Sequence, residues 1–99
     1  MADEKADLST AAISVPDHVV TRDLSGQTIV LNLLTGRYHG LNATGGAMLA
    51  SLKSSGSTQV AAAEIASSFG VPEERVLGDL VALCGELLSR GLIEVDAGH

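Results

Sequence analysis

Apolar positions recur along this chain with two different periods. Between Thr28 and Leu33, Ile29, Leu31 and Leu33 alternate with Val30 and Asn32. A period of two marks a β-strand, here with Ile29, Leu31 and Leu33 as its strongly apolar face. Upstream, His18 to Leu24 is rich in β-branched residues (Val19, Val20, Thr21), and Ser25-Gly26 separates the two runs as a turn. Leu34-Thr35-Gly36 forms a second short loop, with Gly36 free to take the positive φ of a hairpin bulge. Arg37 to Leu41 is the returning strand. The pattern predicts a three-stranded antiparallel meander.

Past Asn42 the period lengthens to that of a helix. Asn42 can cap a helix whose apolar positions include Ala47, Met48, Leu49 and Leu52, and Ser54-Ser55-Gly56 ends it. Ser57 or Thr58 can cap a second helix over Gln59 to Phe69, with Val60, Ala63, Ile65, Ala66 and Phe69 as its expected core positions. Gly70 terminates it. Pro72 suits the first turn of a third helix reaching about Arg90, and Glu73 and Glu74 favour its positive end. Gly91 stops this helix, and Leu92 to Val95 reads as a short last strand. Strands in one run and helices in the next define an α+β domain. The last two helices resemble a helix-turn-helix, so the expected architecture is winged-helix-like: a three-stranded antiparallel sheet followed by three helices. Residues 1–14 are small, polar and aperiodic, which predicts a flexible tail ahead of one domain over residues 15–96.

Composition narrows the functional classes. The 99 residues suit one domain, and with one Phe, one Tyr and no Trp its core must be aliphatic. A formal charge of −6, from twelve acidic and six basic residues, argues against nucleic acid and anionic membranes as partners. No apolar run approaches the ~20 residues of a membrane span, and the mixed-charge N-terminus is unlike a secretory signal. These features lead to the expectation of a cytoplasmic protein.

Nothing in the residue spacing suggests catalysis. His18, His39 and His99 fall in unrelated elements, and no paired spacing supplies the three or four converging ligands of a metal site. The glycines at 36, 40, 45 and 46 lack the Lys of a phosphate-binding loop. Cys84 lies mid-helix among Val81, Leu83, Leu87 and Leu88, as a small core residue would. The expectation is a non-enzyme without cofactor or metal.

The third helix and the last meander strand carry more information. At about 100° per residue, Val76, Leu80, Leu83 and Leu87 make one line, and Leu77, Val81, Cys84 and Leu88 make a second beside it. That sector exceeds a simple amphipathic stripe, so one half can cover the core while the other is either more core or the wall of a groove. Gly78, Ala82 and Gly85 border it as a smooth strip, against which either a neighbouring element or a bound backbone can approach. Arg37-Tyr38-His39-Gly40-Leu41 holds no Pro or Lys that would block strand addition, provided it lies at a sheet edge.

The run Ile29-Val-Leu-Asn-Leu-Leu-Thr-Gly-Arg-Tyr-His-Gly-Leu-Asn42 with Ala43-Thr-Gly-Gly, and the run Leu80-Val-Ala-Leu-Cys-Gly-Glu-Leu-Leu-Ser-Arg-Gly-Leu-Ile93, resemble the PqqD-like family. The likeness covers about residues 15–95 and is most specific from Thr35 to Asn42. At Met48-Leu49 this chain lacks the bulky aromatic that the family often has. These proteins are leader-recognition elements for ribosomally made, post-translationally modified peptides, in pyrroloquinoline quinone and lasso-peptide pathways. The resemblance implies that a precursor's leader docks as an antiparallel strand on Arg37, Tyr38, His39, Gly40 and Leu41, against Val76, Asp79, Leu80 and Leu83 of the third helix. Arg37, Arg75 and Asp79 are the candidates for reading leader charges. The partners it implies are the leader and a modifying enzyme or leader peptidase, with a lasso-type pathway favoured.

Two competing readings remain at this stage. Ile65-Ala-Ser-Ser-Phe-Gly-Val-Pro also looks like the helix and turn of a DNA-binding regulator. Its would-be recognition helix opens with Glu73-Glu74, however, which repels phosphates. The other is a subunit that docks on a folded enzyme through the wide helix face.

Overall fold

A computed structural model describes residues 8–96 of the chain. A helical turn at Leu8–Thr10 leads into β1 (Ala12–Ser14), followed by β2 (Val19–Leu24), β3 (Gln27–Asn32) and β4 (Tyr38–Leu41). Three helices then follow, α1 (Ala43–Ser55), α2 (Thr58–Phe69) and α3 (Glu73–Ser89), and β5 (Glu94–Asp96) closes the chain. The fold is α+β, as expected, with an antiparallel sheet in the order β2-β3-β4.

Local chemistry explains most boundaries. Ser25 and Gly26 both take positive φ, 49° and 83°, which suits a two-residue hairpin turn. The Asn42 side chain accepts a hydrogen bond from the Gly45 N–H, and Ser57 accepts one from Val60, so both predicted N-caps form. Gly56 and Gly70 end α1 and α2 in the left-handed region. Gly91, at φ 71°, turns the chain so that the Leu92 N–H returns to the Leu87 carbonyl at 2.9 Å. Pro72 is the N-cap of α3 rather than part of its first turn.

Four further expectations are corrected. Residues 12–14, assigned to the tail, form β1 and pair antiparallel with β5, Ile13 opposite Val95. Ile13 is buried there between exposed neighbours, so one apolar side chain was enough to anchor the strand. Residues 1–7 and 97–99, including His99, lie outside the described residues. β5 begins at Glu94; Leu92 and Ile93 are buried in the core ahead of it.

The other two corrections concern phase. In β3 the buried face is Val30 and Asn32, while Ile29 and Leu31 are half-buried on the opposite face and Leu33 is exposed beyond the strand's end. The register with β2 and β4 places Val20, Leu24, Tyr38 and Gly40 on that same outer face. Alternation identified two faces, but α1 packs on the one carrying Val19, Val30 and Leu41. In α2 the buried positions are Thr58, Ala61, Ala62, Ile65 and Ala66; Val60, Ala63 and Phe69 are exposed. Small residues face inward because α2 is held closely between α1 and α3.

The core joins Met48, Leu49 and Leu52 of α1 to the α2 alanines and to Val76, Leu80, Cys84 and Leu87 of α3. It is aliphatic, as the composition required.

Candidate site at the free edge of β4

β4 pairs with β3 on one side only, so its other edge is open among the described residues. The loop that delivers β4 is built around Asn32. Its side-chain oxygen accepts from the Leu34 N–H at 2.9 Å and the Thr35 N–H at 3.4 Å. Its backbone accepts from Gly36 and donates to the Arg37 carbonyl. Thr35 Oγ1 accepts from the Arg37 N–H, and Gly36 takes φ 76°. A buried Asn thus keeps its acceptor satisfied while shaping the hairpin.

That loop also sets which backbone groups are free. The Asn32 N–H bonds to the Arg37 carbonyl, and antiparallel pairs alternate between bonded and non-bonded. His39 and Leu41 therefore turn their backbone groups toward β3, whereas Tyr38 and Gly40 turn theirs toward the open edge.

The C-terminal end of α3 and the residues just after it form the opposite wall. The helix packs on α2 and on the Leu8–Thr10 turn rather than closely on β4, leaving a cleft of about 500 Å³ lined by Arg37, Tyr38, His39, Ser89, Arg90 and Leu92, with Asn32 at its base. His39 reaches across it, its Nε2 3.7 Å from Glu86 Oε2. Arg90 Nη2 approaches the same oxygen at 3.5 Å. A more open groove of about 870 Å³ lies between the β2–β3 hairpin and α1, away from the unpaired edge.

The structure divides the sequence-predicted site residues. Arg37, Tyr38, Gly40, Arg75 and Asp79 are exposed, and His39 and Leu83 are half-buried. Leu41, Val76 and Leu80 are buried in the core, so their side chains support the cleft from beneath and do not line it. The wide apolar sector of α3 is likewise resolved. Val76, Leu80, Cys84 and Leu87 are core, and the Leu8–Thr10 turn packs on α3 as well. Of the small-residue strip, Gly85 faces Leu8 at contact distance, while Gly78 has open space around it.

Asn32, Glu86 and Arg90 were missed. A readable signal was present: Asp79, Leu83, Glu86 and Arg90 recur every three or four residues, one line beside the core stripe. Burial raises the Cys84 thiol from 9.0 to about 11, which opposes thiolate formation. Among the described residues no group of three or more His, Cys, Asp or Glu is placed to hold a metal, and no helix is long and apolar enough to cross a membrane.

An unpaired strand facing a helix across a cleft defines a class of protein built to take an extended chain. The comparisons agree with that class. Residues 27–93 match the family described as coenzyme PQQ synthesis protein D (PqqD), and the chain belongs to that family. A solved structure described as TbiB1 in complex with the TbiA(beta) leader peptide is similar to this chain, with a TM-score of 0.75 and 26% identity, covering 82% of this chain and 94% of that one. Another, lasso peptide synthetase B1 complexed with the leader peptide, has a TM-score of 0.74 at 20% identity, covering 85% and 99%; at that identity the likeness concerns the fold. No curated protein matches the chain.

Proposed function

We propose that this protein captures the leader segment of a precursor peptide as an added antiparallel strand on β4 and presents it, without catalysis, to a modifying enzyme or leader peptidase in the cytoplasm. The observation that carries the reading is the open edge of β4 beside α3, in a chain of the PqqD family. A lasso-type pathway is favoured because one leader-peptide complex of the same fold is a lasso peptide synthetase B1, and the relative at 26% identity is also a leader-peptide complex; a quinone-cofactor pathway is the second reading, supported by the family itself.

The backbone groups of Tyr38 and Gly40 supply sequence-independent hydrogen bonds to the leader. Side chains of Arg37, Tyr38, His39, Asp79 and Leu83, with Glu86 and Arg90, select its sequence. Arg75 stands one helical turn before Asp79 on the exposed side, and Leu41, Val76 and Leu80 hold the two walls apart.

The test is a titration of isotope-labelled protein with the leader of the precursor peptide encoded beside it. Amide shifts are expected at 37–41 and along Asp79, Leu83, Glu86 and Arg90. Gly40→Pro, which deletes an outward N–H while leaving the ladder to β3, is expected to weaken binding at least tenfold. Shifts confined to Glu73–Leu80 with a DNA duplex, and none with the leader, would overturn the reading.

A further inference from the structure

We infer that the cleft is electrically polarised along its length and selects a leader segment with acidic side chains on the C-terminal side of the docked stretch. This inference rests on strand addition at β4.

The direction of α3 relative to β4 gives the geometry. Arg37 and Tyr38 share the cleft with Ser89, Arg90 and Leu92, and His39 meets Glu86. α3 therefore runs antiparallel to β4, and earlier turns of the helix lie toward Leu41. Asp79, seven residues before Glu86, sits roughly 10 Å back along the helix axis, past the Leu41 end of the strand. Glu73 and Glu74 lie further in the same direction.

Charge follows that axis. Arg37 and Arg90 stand at one end; at the other, Asp79, Glu73 and Glu74 outnumber Arg75. The carboxylate that the structure places against this end is Glu86, whose Oε2 lies 3.5 Å from Arg90 and 3.7 Å from His39, so Arg90 balances it. The basic end thus keeps a positive excess in a chain whose net charge is −6. A strand added antiparallel to β4 enters with its N-terminal side by Leu41 and Asp79. It leaves with its C-terminal side between Arg37 and Arg90. Asp or Glu there meets the Arg37 guanidinium beside the Arg90–Glu86 pair; Lys or Arg there meets repulsion. The same polarity disfavours a reversed strand, so charge selects direction as well as sequence.

The experiment is selection of a displayed library of random twelve-residue peptides on the intact protein, on Gly40→Pro, and on Arg37→Glu/Arg90→Glu. Arg37→Glu alone, which leaves the Arg90–Glu86 pair in place, guards against a folding defect in the double variant. The expected result is enrichment of Asp or Glu on the C-terminal side, replaced by Lys or Arg on the double variant. In solution, exchanging those acids for Lys should weaken binding to the intact protein by about two- to fivefold per contact, an effect that fades with added salt. Peptides that need the Gly40 N–H yet show no charge preference would overturn the polarity while leaving strand capture standing. No enriched peptide sensitive to Gly40→Pro would remove strand capture and this inference together.

Discussion

Gly46 of α1 lies so close to Thr28 of β3 that a β-carbon at Gly46 would overlap the Thr28 hydroxyl. The Thr28 hydroxyl in turn donates to Asp23 Oδ1 at 2.9 Å, so the contact joins the β2–β3 hairpin to the helix that covers the sheet. This approach helps set how α1 lies on the sheet that carries β4.

Gly46→Ala is therefore expected to destabilise the fold by about 1–3 kcal/mol, the usual range for overpacking. Gly78→Ala, in open space on α3, is expected to stabilise by about 0.5–1 kcal/mol, because it removes the helix-interior penalty of glycine. Urea denaturation of both variants checks the pair. Equal effects would show that α1 and β3 are not in close contact at Gly46.

Asn32→Ala strands the Leu34 and Thr35 N–H groups that Asn32 satisfies. A loss of about 1–3 kcal/mol is expected, with faster amide exchange through 33–41 than through β2. Uniform exchange across the sheet would mean that the loop holds its shape without Asn32.

Tyr38 and Leu80 separate binding from folding. Tyr38 is 72% exposed and Leu80 0%. Leu80→Ala should cost about 2–5 kcal/mol of stability. Tyr38→Ala should change stability by less than about 0.5 kcal/mol and still weaken leader binding severalfold. Calorimetric titration and thermal melts on the same two variants read both quantities.

The Cys84 thiol, raised to about 11 by burial, holds its proton in the folded chain at pH values where the unfolded chain has begun to lose it. The folded state then binds more protons, so stability falls as pH rises from 9 toward 11, by at most about 1.4 kcal/mol per unit from this group. Cys84→Ala should be less stable at neutral pH and should lose that part of the alkaline decline. Identical slopes in the two proteins would exclude the thiol as its source. Alkylation at neutral pH should be slow and should follow the population of the opened chain, because the thiol is buried.

Much of the chain was legible residue by residue. Ser25-Gly26, Gly36, Asn42, Ser57, Gly56, Gly70 and Gly91 all act through local backbone chemistry, and each sits where the sequence implied. Local rules place turns and caps because their energetics involve neighbours only a few residues away. That Arg37–Leu41 could accept an added strand was legible too, since nothing in it guards an edge; that it lies at one came from the sheet order.

The tertiary structure decided what depends on a partner far along the chain. Ala12–Ser14 carries too weak a pattern to read as a strand until β5 is brought beside it. Ile29 and Leu31 are more apolar than their alternating neighbour Asn32, yet Val30 and Asn32 face the core, because α1 covers that side and the Asn32 acceptor is satisfied locally. The predicted site on α3 mixed two faces for the same reason. Periodicity alone places Val76, Leu80 and Leu83 on one line, and only packing buries the first two, leaves Leu83 half-buried and Asp79 exposed, and brings Glu86 and Arg90 to the cleft. The sequence by itself determined the three-stranded meander, the three helices and the aliphatic core. Which face of each element met the interior was settled by burial, which sums contacts over the whole chain and has no local signature.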